Sequence, residues 1–188
     1  MRYIHYLLLA AVFASMQGCP AVIATGVGTS ALMAADRRTT GTIIEDEGIE
    51  NKAIGQISAK YKNATHINVT SFNRHVLITG EVPNEETRSG IAQIVTGVQN
   101  VMAVSNELAI SGTTGITSRS SDSLITGDVK LRFLNSKVFN ADHVKVVTEN
   151  GTVYLMGLVY HKEAEAATEI ASTTGGVVRV VKVFEYLD

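Results

Sequence analysis

The chain has one cysteine, two prolines and no tryptophan among 188 residues. A single cysteine excludes an intramolecular disulfide framework and any zinc cluster built on cysteines. With no tryptophan and 6% aromatic residues, there is no stacking platform for bases or sugars. Charge of one sign is lacking too. Sixteen Lys+Arg stand against 18 Asp+Glu, a formal net charge of −2, and a pI near 6.2 gives no basic field for nucleic acid. Charged residues are scarce at 18%, whereas 45% are hydrophobic, which excludes wholesale disorder. The length fits one or two small domains.

Catalytic signatures are also missing. There is no HExxH, Gly-x-Ser-x-Gly, P-loop or GxGxxG. The histidines (His5, His66, His75, His143 and His161) form no pair with ligand spacing on one helix. His66 and His143 stand at equivalent strand entries and read as turn or strand-edge residues rather than metal ligands. Glu85-Glu86, Glu163 and Glu165 fall at helix starts, where the helix dipole accounts for them. Arg37-Arg38 is too short for a phosphate patch and reads as solvated surface. The expectation is a non-enzyme with no metal, no cofactor, no small-molecule substrate and no nucleic-acid partner.

What is present begins with a leader. Met1-Arg2-Tyr3 is a short positive head, Ile4 to Met16 is largely apolar, and small residues follow up to Gly18-Cys19. This is the n-region, h-region and cleavage site of a secretory signal over 1–18. The apolar run falls short of the ~20 residues that span a bilayer. The lone cysteine stands where the signal ends, so Cys19 reads as the lipid-modified first residue of a bacterial lipoprotein. Met16 and Gln17 occupy positions usually taken by Leu and a small residue. Two or more acyl chains, at ~0.8 kcal/mol per buried methylene, make a stable anchor. Pro20 follows instead of the Asp that marks inner-membrane retention, which points to the outer membrane. Residues 19–45 then read as an anchored, flexible segment.

The remainder is a duplication. His66–Gly80 (HINVTSFNRHVLITG) aligns without a gap on His143–Gly157 (HVKVVTENGTVYLMG). Each is a β-hairpin with alternating apolar residues around a polar turn, Asn73-Arg74 in one copy and Asn150-Gly151 in the other. A helix follows each hairpin, opened by Asn84-Glu85-Glu86 and by His161-Lys162-Glu163. Each helix runs through Gly97-Val98 or Gly175-Gly176-Val177 into a Val-rich strand, Val101 to Ile110 or Val177 to Leu187. Each hairpin is preceded by a helix opened by an acid, at Asp46 and at Asp122. The unit is helix-strand-strand-helix-strand over 46–110 and 122–188, with a Gly/Thr/Ser-rich linker at 111–121. A domain of ~65 residues is marginal alone, so contact between copies is expected.

This unit resembles the BON domain, and two of them behind a lipoprotein signal resemble the dual-BON outer-membrane lipoproteins. The resemblance is carried by Asp36-Arg37-Arg38-Thr39, Ile67-Asn68-Val69-Thr70, Thr148-Glu149-Asn150-Gly151 and Leu155-Met156-Gly157-Leu158-Val159. It implies an α+β fold in which a small mixed three-stranded sheet packs on two helices in each domain. It also implies a non-enzymatic, periplasm-facing protein that supports outer-membrane integrity, binds anionic phospholipid and works at the division site. The alternative it implies is a periplasmic adaptor for partners such as the barrel-assembly machinery or cell-wall amidase regulators.

The residues themselves suggest where lipid would bind. In the first helices Ile49, Ala53 and Ile57 form one apolar stripe, matched by Ile125, Val129 and Phe133. Only the second copy carries another stripe, Leu124, Leu131 and Leu134 around Gly127, where the first has Gly48, Gly55 and Ser58. Lys130 and Lys137 flank it, with stems long enough to snorkel while leucines enter a headgroup layer. The competing possibility is that this face packs on the other copy. The resemblance implies lipid contact through this helix. Leu124 stands where the enteric member has tryptophan, and Asp128 where a base would help, which implies weaker or less selective binding.

Overall fold

The computed structural model describes residues 36–62, 66–111 and 116–188, with side chains omitted at 116–118. The signal at 1–18, Cys19 and the anchor-proximal stretch to residue 35 lie outside the described residues, as does the middle of the expected linker.

Two helix-strand-strand-helix-strand units follow one another. The first comprises α1 (Thr40–Lys60), β1 (His66–Phe72), β2 (His75–Val82), α2 (Glu85–Thr96), β3 (Ala103–Asn106) and β4 (Ala109–Ile110). The second comprises α3 (Ile116–Leu134), a 3-10 turn (Ala141–His143), β5 (Val144–Glu149), β6 (Thr152–Val159), α4 (His161–Ser172) and β7 (Arg179–Tyr186). In both, the hairpin is antiparallel and the last strand lies parallel to the central one, so β2 and β6 are the middle strands.

The hairpins form where the alternation places them. Asn73 and Arg74 have φ of 51° and 64°, and Asn150 and Gly151 have 50° and 70°. Two successive residues with positive φ match the right-handed strand twist, which is why such turns favour Asn and Gly. The equal spacing from His to Gly in the two copies also has a steric cause. A Cβ on Gly80 would lie 2.0 Å from the His66 carbonyl oxygen, and one on Gly157 would lie 2.4 Å from that of His143.

Three expectations are corrected. The first helices do not open at their acids. Thr39 caps α1, its hydroxyl accepting from the Thr42 N–H at 3.1 Å, and α3 starts at Ile116, inside the expected linker. Asp46 and Asp122 are instead buried mid-helix, where they accept hydrogen bonds from the hairpin turns. Asp46 takes the N–H of Asn73 at 2.8 Å and of Arg74 at 2.7 Å, and Asp122 takes those of Asn150 and Gly151 at 2.9 and 2.8 Å. Second, the last strand of the first unit is split, giving that sheet four strands. Leu108 turns into the core at the break, an apolar side chain outweighing two ladder positions. Third, Arg37 and Arg38 are not a solvated surface pair. Arg38 is bound to Asp36 and Asp46 at 2.8 and 2.9 Å and lies 3.9 Å from the Phe72 ring centroid.

Each sheet covers its own helices with one face. Ile49, Ala53 and Ile57 meet Val76 and Ile78, while Ile125, Val129 and Phe133 meet Val153 and Leu155. The opposite faces meet each other. Phe72 and Leu77 of the first unit form a third cluster with Tyr154, Met156, Leu158 and Val183 of the second. Because β2 and β6 are buried on both faces, they read as nearly continuous apolar runs. The layers run helices, sheet, sheet, helices.

Candidate functional site

The leucine face of α3 takes no part in that packing. Leu124, Leu131 and Leu134 are 72%, 60% and 70% exposed. The contact between copies is made by the sheets, so the possibility that this face is covered by the first copy is set aside. Gly127 adds no bulk, and a Cβ there would meet nothing within 4 Å. Lys130 is exposed on α3, but Lys137, expected beside it on the helix, falls in the bend beyond Leu134 where the helix has ended; it is exposed there, as is Val138. Asp128 is exposed on the same helix. Cys19, the expected anchor, lies outside the described residues.

Beside this face a groove of about 390 Å³ opens between the units, lined by Phe72, Phe133, Leu134 and Val144 with the cations Arg38, Lys130 and Lys145. Two of these cations are already engaged. Arg38 is held by Asp36 and Asp46, and Lys145 by Glu50 at 3.1 Å. No helix among the described residues is long and apolar enough to cross a membrane.

Polar contacts run along the seam. Arg37, from the segment leading in from the N-terminus, forks onto Glu163 at 2.6 and 2.9 Å and donates to the Leu158 carbonyl at 2.7 Å. Burial works to raise the Glu163 carboxyl, but the Arg37 hydrogen bonds and the Tyr160 N–H hold it below the usual carboxylate range. Further along, His66 Nδ1 lies 3.3 Å from Glu81 and 3.5 Å from Glu149. Burial pushes Glu149 above its ordinary value, and Glu81 adds to this against the pull of His66 and the Asn68 amide. The sequence placed none of these seam residues in a site. The one available signal was Glu81, the single acid in a largely apolar strand (HVLITGEV).

The fold, repeated twice with its buried turn-capping acids, defines the class. The BON-domain profile matches residues 45–112 and 121–188, and the chain belongs to the BON-domain family. It is 38% identical over 190 residues to the outer membrane lipoprotein DolP of Haemophilus influenzae, covering 100% of this chain and 97% of that one. It is 34% identical over 154 residues to the 21 kDa hemolysin of Actinobacillus pleuropneumoniae, covering 81% and 79% of the two chains. To the osmotically-inducible protein Y of Escherichia coli it is 25% identical over 141 residues, covering 73% and 70%.

Proposed function

We propose that this protein is a Cys19-anchored outer-membrane lipoprotein that faces the periplasm and reads an anionic phospholipid surface through α3 of its second BON domain. In this reading it supports envelope integrity at the division site. The observation that carries the reading is the set of three exposed leucines on one face of α3, with Lys130 on the same helix and Lys137 three residues past its end, on a helix whose other face is committed to the core. Full-length similarity to a relative named an outer membrane lipoprotein supports the location.

The chemistry suits reversible contact. A fully buried leucine contributes ~1.5–3 kcal/mol, so partial entry of three gives weak binding alone. An acyl anchor converts that into a local event by raising the effective concentration. The lysines add attraction to anionic headgroups of about 1 kcal/mol each near the surface.

The test is NMR shift mapping of the full chain in detergent, titrated with phosphatidylglycerol and then phosphatidylcholine micelles. The reading expects shifts within 124–138, larger with the anionic lipid, and their loss in Leu131→Glu/Leu134→Glu. If that folded double variant responds as the wild type does, lipid reading through α3 is wrong and the adaptor reading takes its place. Mass spectrometry of the mature N-terminus tests the anchor separately.

A further inference from the structure

His66, Glu81 and Glu149 bring one atom each, from both domains, to within 4.8 Å of one another. We propose that these three side chains form a site for a divalent transition-metal cation, of which zinc is the best fit, clamping the two BON domains together at their seam. Three features carry this. The first is spacing. The gaps of 3.3 and 3.5 Å from His66 Nδ1 to the two carboxylates exceed the ~2.7–2.9 Å of a charge-assisted hydrogen bond. They match the edge of about 3.4 Å separating two ligands at ~2.1 Å around a tetrahedral ion.

The second is orientation. Each carboxylate has one oxygen fixed by an asparagine amide and the other turned to His66. The Asn68 amide donates to Glu149 Oε2 at 3.0 Å, leaving Oε1 as the atom facing the imidazole. The Asn150 amide donates to Glu81 Oε1 at 2.8 Å, leaving Oε2 facing it. Ligands held this way by a second layer of hydrogen bonds are typical of metal sites. Both bonds cross between the domains. The third is His66 itself, whose buried Nδ1 makes no hydrogen bond of good geometry. The matching histidine of the second copy, His143, faces a carboxylate already occupied by Arg37. The His66 site instead converges two carboxylates, whose summed charge a divalent ion neutralises. One imidazole and two carboxylates suit zinc, cobalt, nickel or manganese better than magnesium.

The experiment is calorimetric titration of the full chain in detergent with ZnCl₂, MnCl₂ and MgCl₂. Wild type is compared with His66→Gln, Glu81→Gln and His161→Ala, with circular dichroism confirming the fold of each. The expected result is one zinc per chain, bound more tightly than manganese, and magnesium weakest. His66→Gln and Glu81→Gln lower zinc affinity at least tenfold, and His161→Ala, at the exposed His161–Asp188 pair, leaves it unchanged. Manganese should also broaden amide signals around 66–68, 81 and 149–151 in the wild type, a readout that needs no variant to fold. Three outcomes overturn the site: no saturable binding at millimolar zinc, binding unaffected by the His66 and Glu81 changes, or binding abolished by His161→Ala. Any of them leaves the cluster as an ordinary histidine–carboxylate ion pair.

Discussion

Replacing Asp46 by alanine tests the internal logic of the BON unit, because its counterpart Asp122 provides a built-in control. Asp46 accepts four hydrogen bonds, from the Ser71 hydroxyl, the Asn73 and Arg74 N–H groups and the Arg38 guanidinium, at 2.6, 2.8, 2.7 and 2.9 Å. Asp122 accepts two that are matched in position, from the Asn150 and Gly151 N–H groups. Hydrogen bonds to a charged group contribute about 1.5–3 kcal/mol each, and a buried donor left without an acceptor costs about 1–3 kcal/mol. Allowing for relaxation and water entry, Asp46→Ala should cost roughly 5 kcal/mol and Asp122→Ala roughly 3 kcal/mol. At ~2–4 °C per kcal/mol for a chain of this size, Tm falls by about 10 °C or more and by about 6–12 °C respectively. Thermal unfolding followed by circular dichroism at pH 7 measures both. The shared sheet interface should keep each transition cooperative. The reasoning fails if Asp46→Ala costs less than 1 kcal/mol, or if Asp122→Ala proves the more damaging.

Other perturbations have equally definite outcomes. Met156→Ala, in the inter-sheet cluster and almost fully buried, should cost about 2–5 kcal/mol in urea unfolding. Leu124→Ala, on the exposed face, should stay within ~0.5 kcal/mol. Gly157→Ala drives a methyl group to 2.4 Å from a backbone carbonyl and should lower the urea midpoint more than any surface change. The depressed Glu163 carboxyl contributes stability above its unfolded value of 4.5, and that contribution is lost as pH falls through the lower folded value. In a Tm series from pH 7 to pH 3, wild type should therefore exceed Arg37→Met at neutral pH and converge on it in acid. A constant gap would contradict the Arg37–Glu163 assignment.

The hairpins were legible because strand alternation and Asn-based turns are local signals; the mixed sheet, with its parallel return strand, was implied by the family resemblance. The stripes Ile49/Ala53/Ile57 and Ile125/Val129/Phe133 were legible for the same reason, since one helical period fixes which side chains share a face. Asp46 and Asp122 were noticed but misassigned. An acid ahead of an apolar stripe looks like a helix start, and only the folded hairpin shows which donors it serves. The start at Thr40 was hidden because residues 19–45 read as an anchored flexible segment, and that at Ile116 because the Gly/Thr/Ser-rich stretch 111–121 read as linker. Arg37, Arg38, Glu81 and Glu149 were out of reach for a different cause. Apart from the local Arg38–Asp36 pair, the partners named here lie from 8 to 126 residues away, and charge pairing at such separations leaves no periodic trace. The leucine face was visible as a stripe, but whether the first copy covered it depended on how the two sheets meet.

That meeting of sheets makes the two domains mutually dependent parts of one fused assembly. Phe72 and Leu77 are shielded by side chains of the other domain. A solitary copy cut from this chain would turn that apolar sheet face to water and become self-associating. Duplication within one polypeptide supplies the second copy at fixed, high local concentration, independent of how dilute the protein is in its compartment. The tandem thus behaves as a dimer that cannot dissociate. Its two halves are free to diverge on their helical outsides, as the leucines of α3 and the glycines of α1 have, while their sheet faces remain bound to change together.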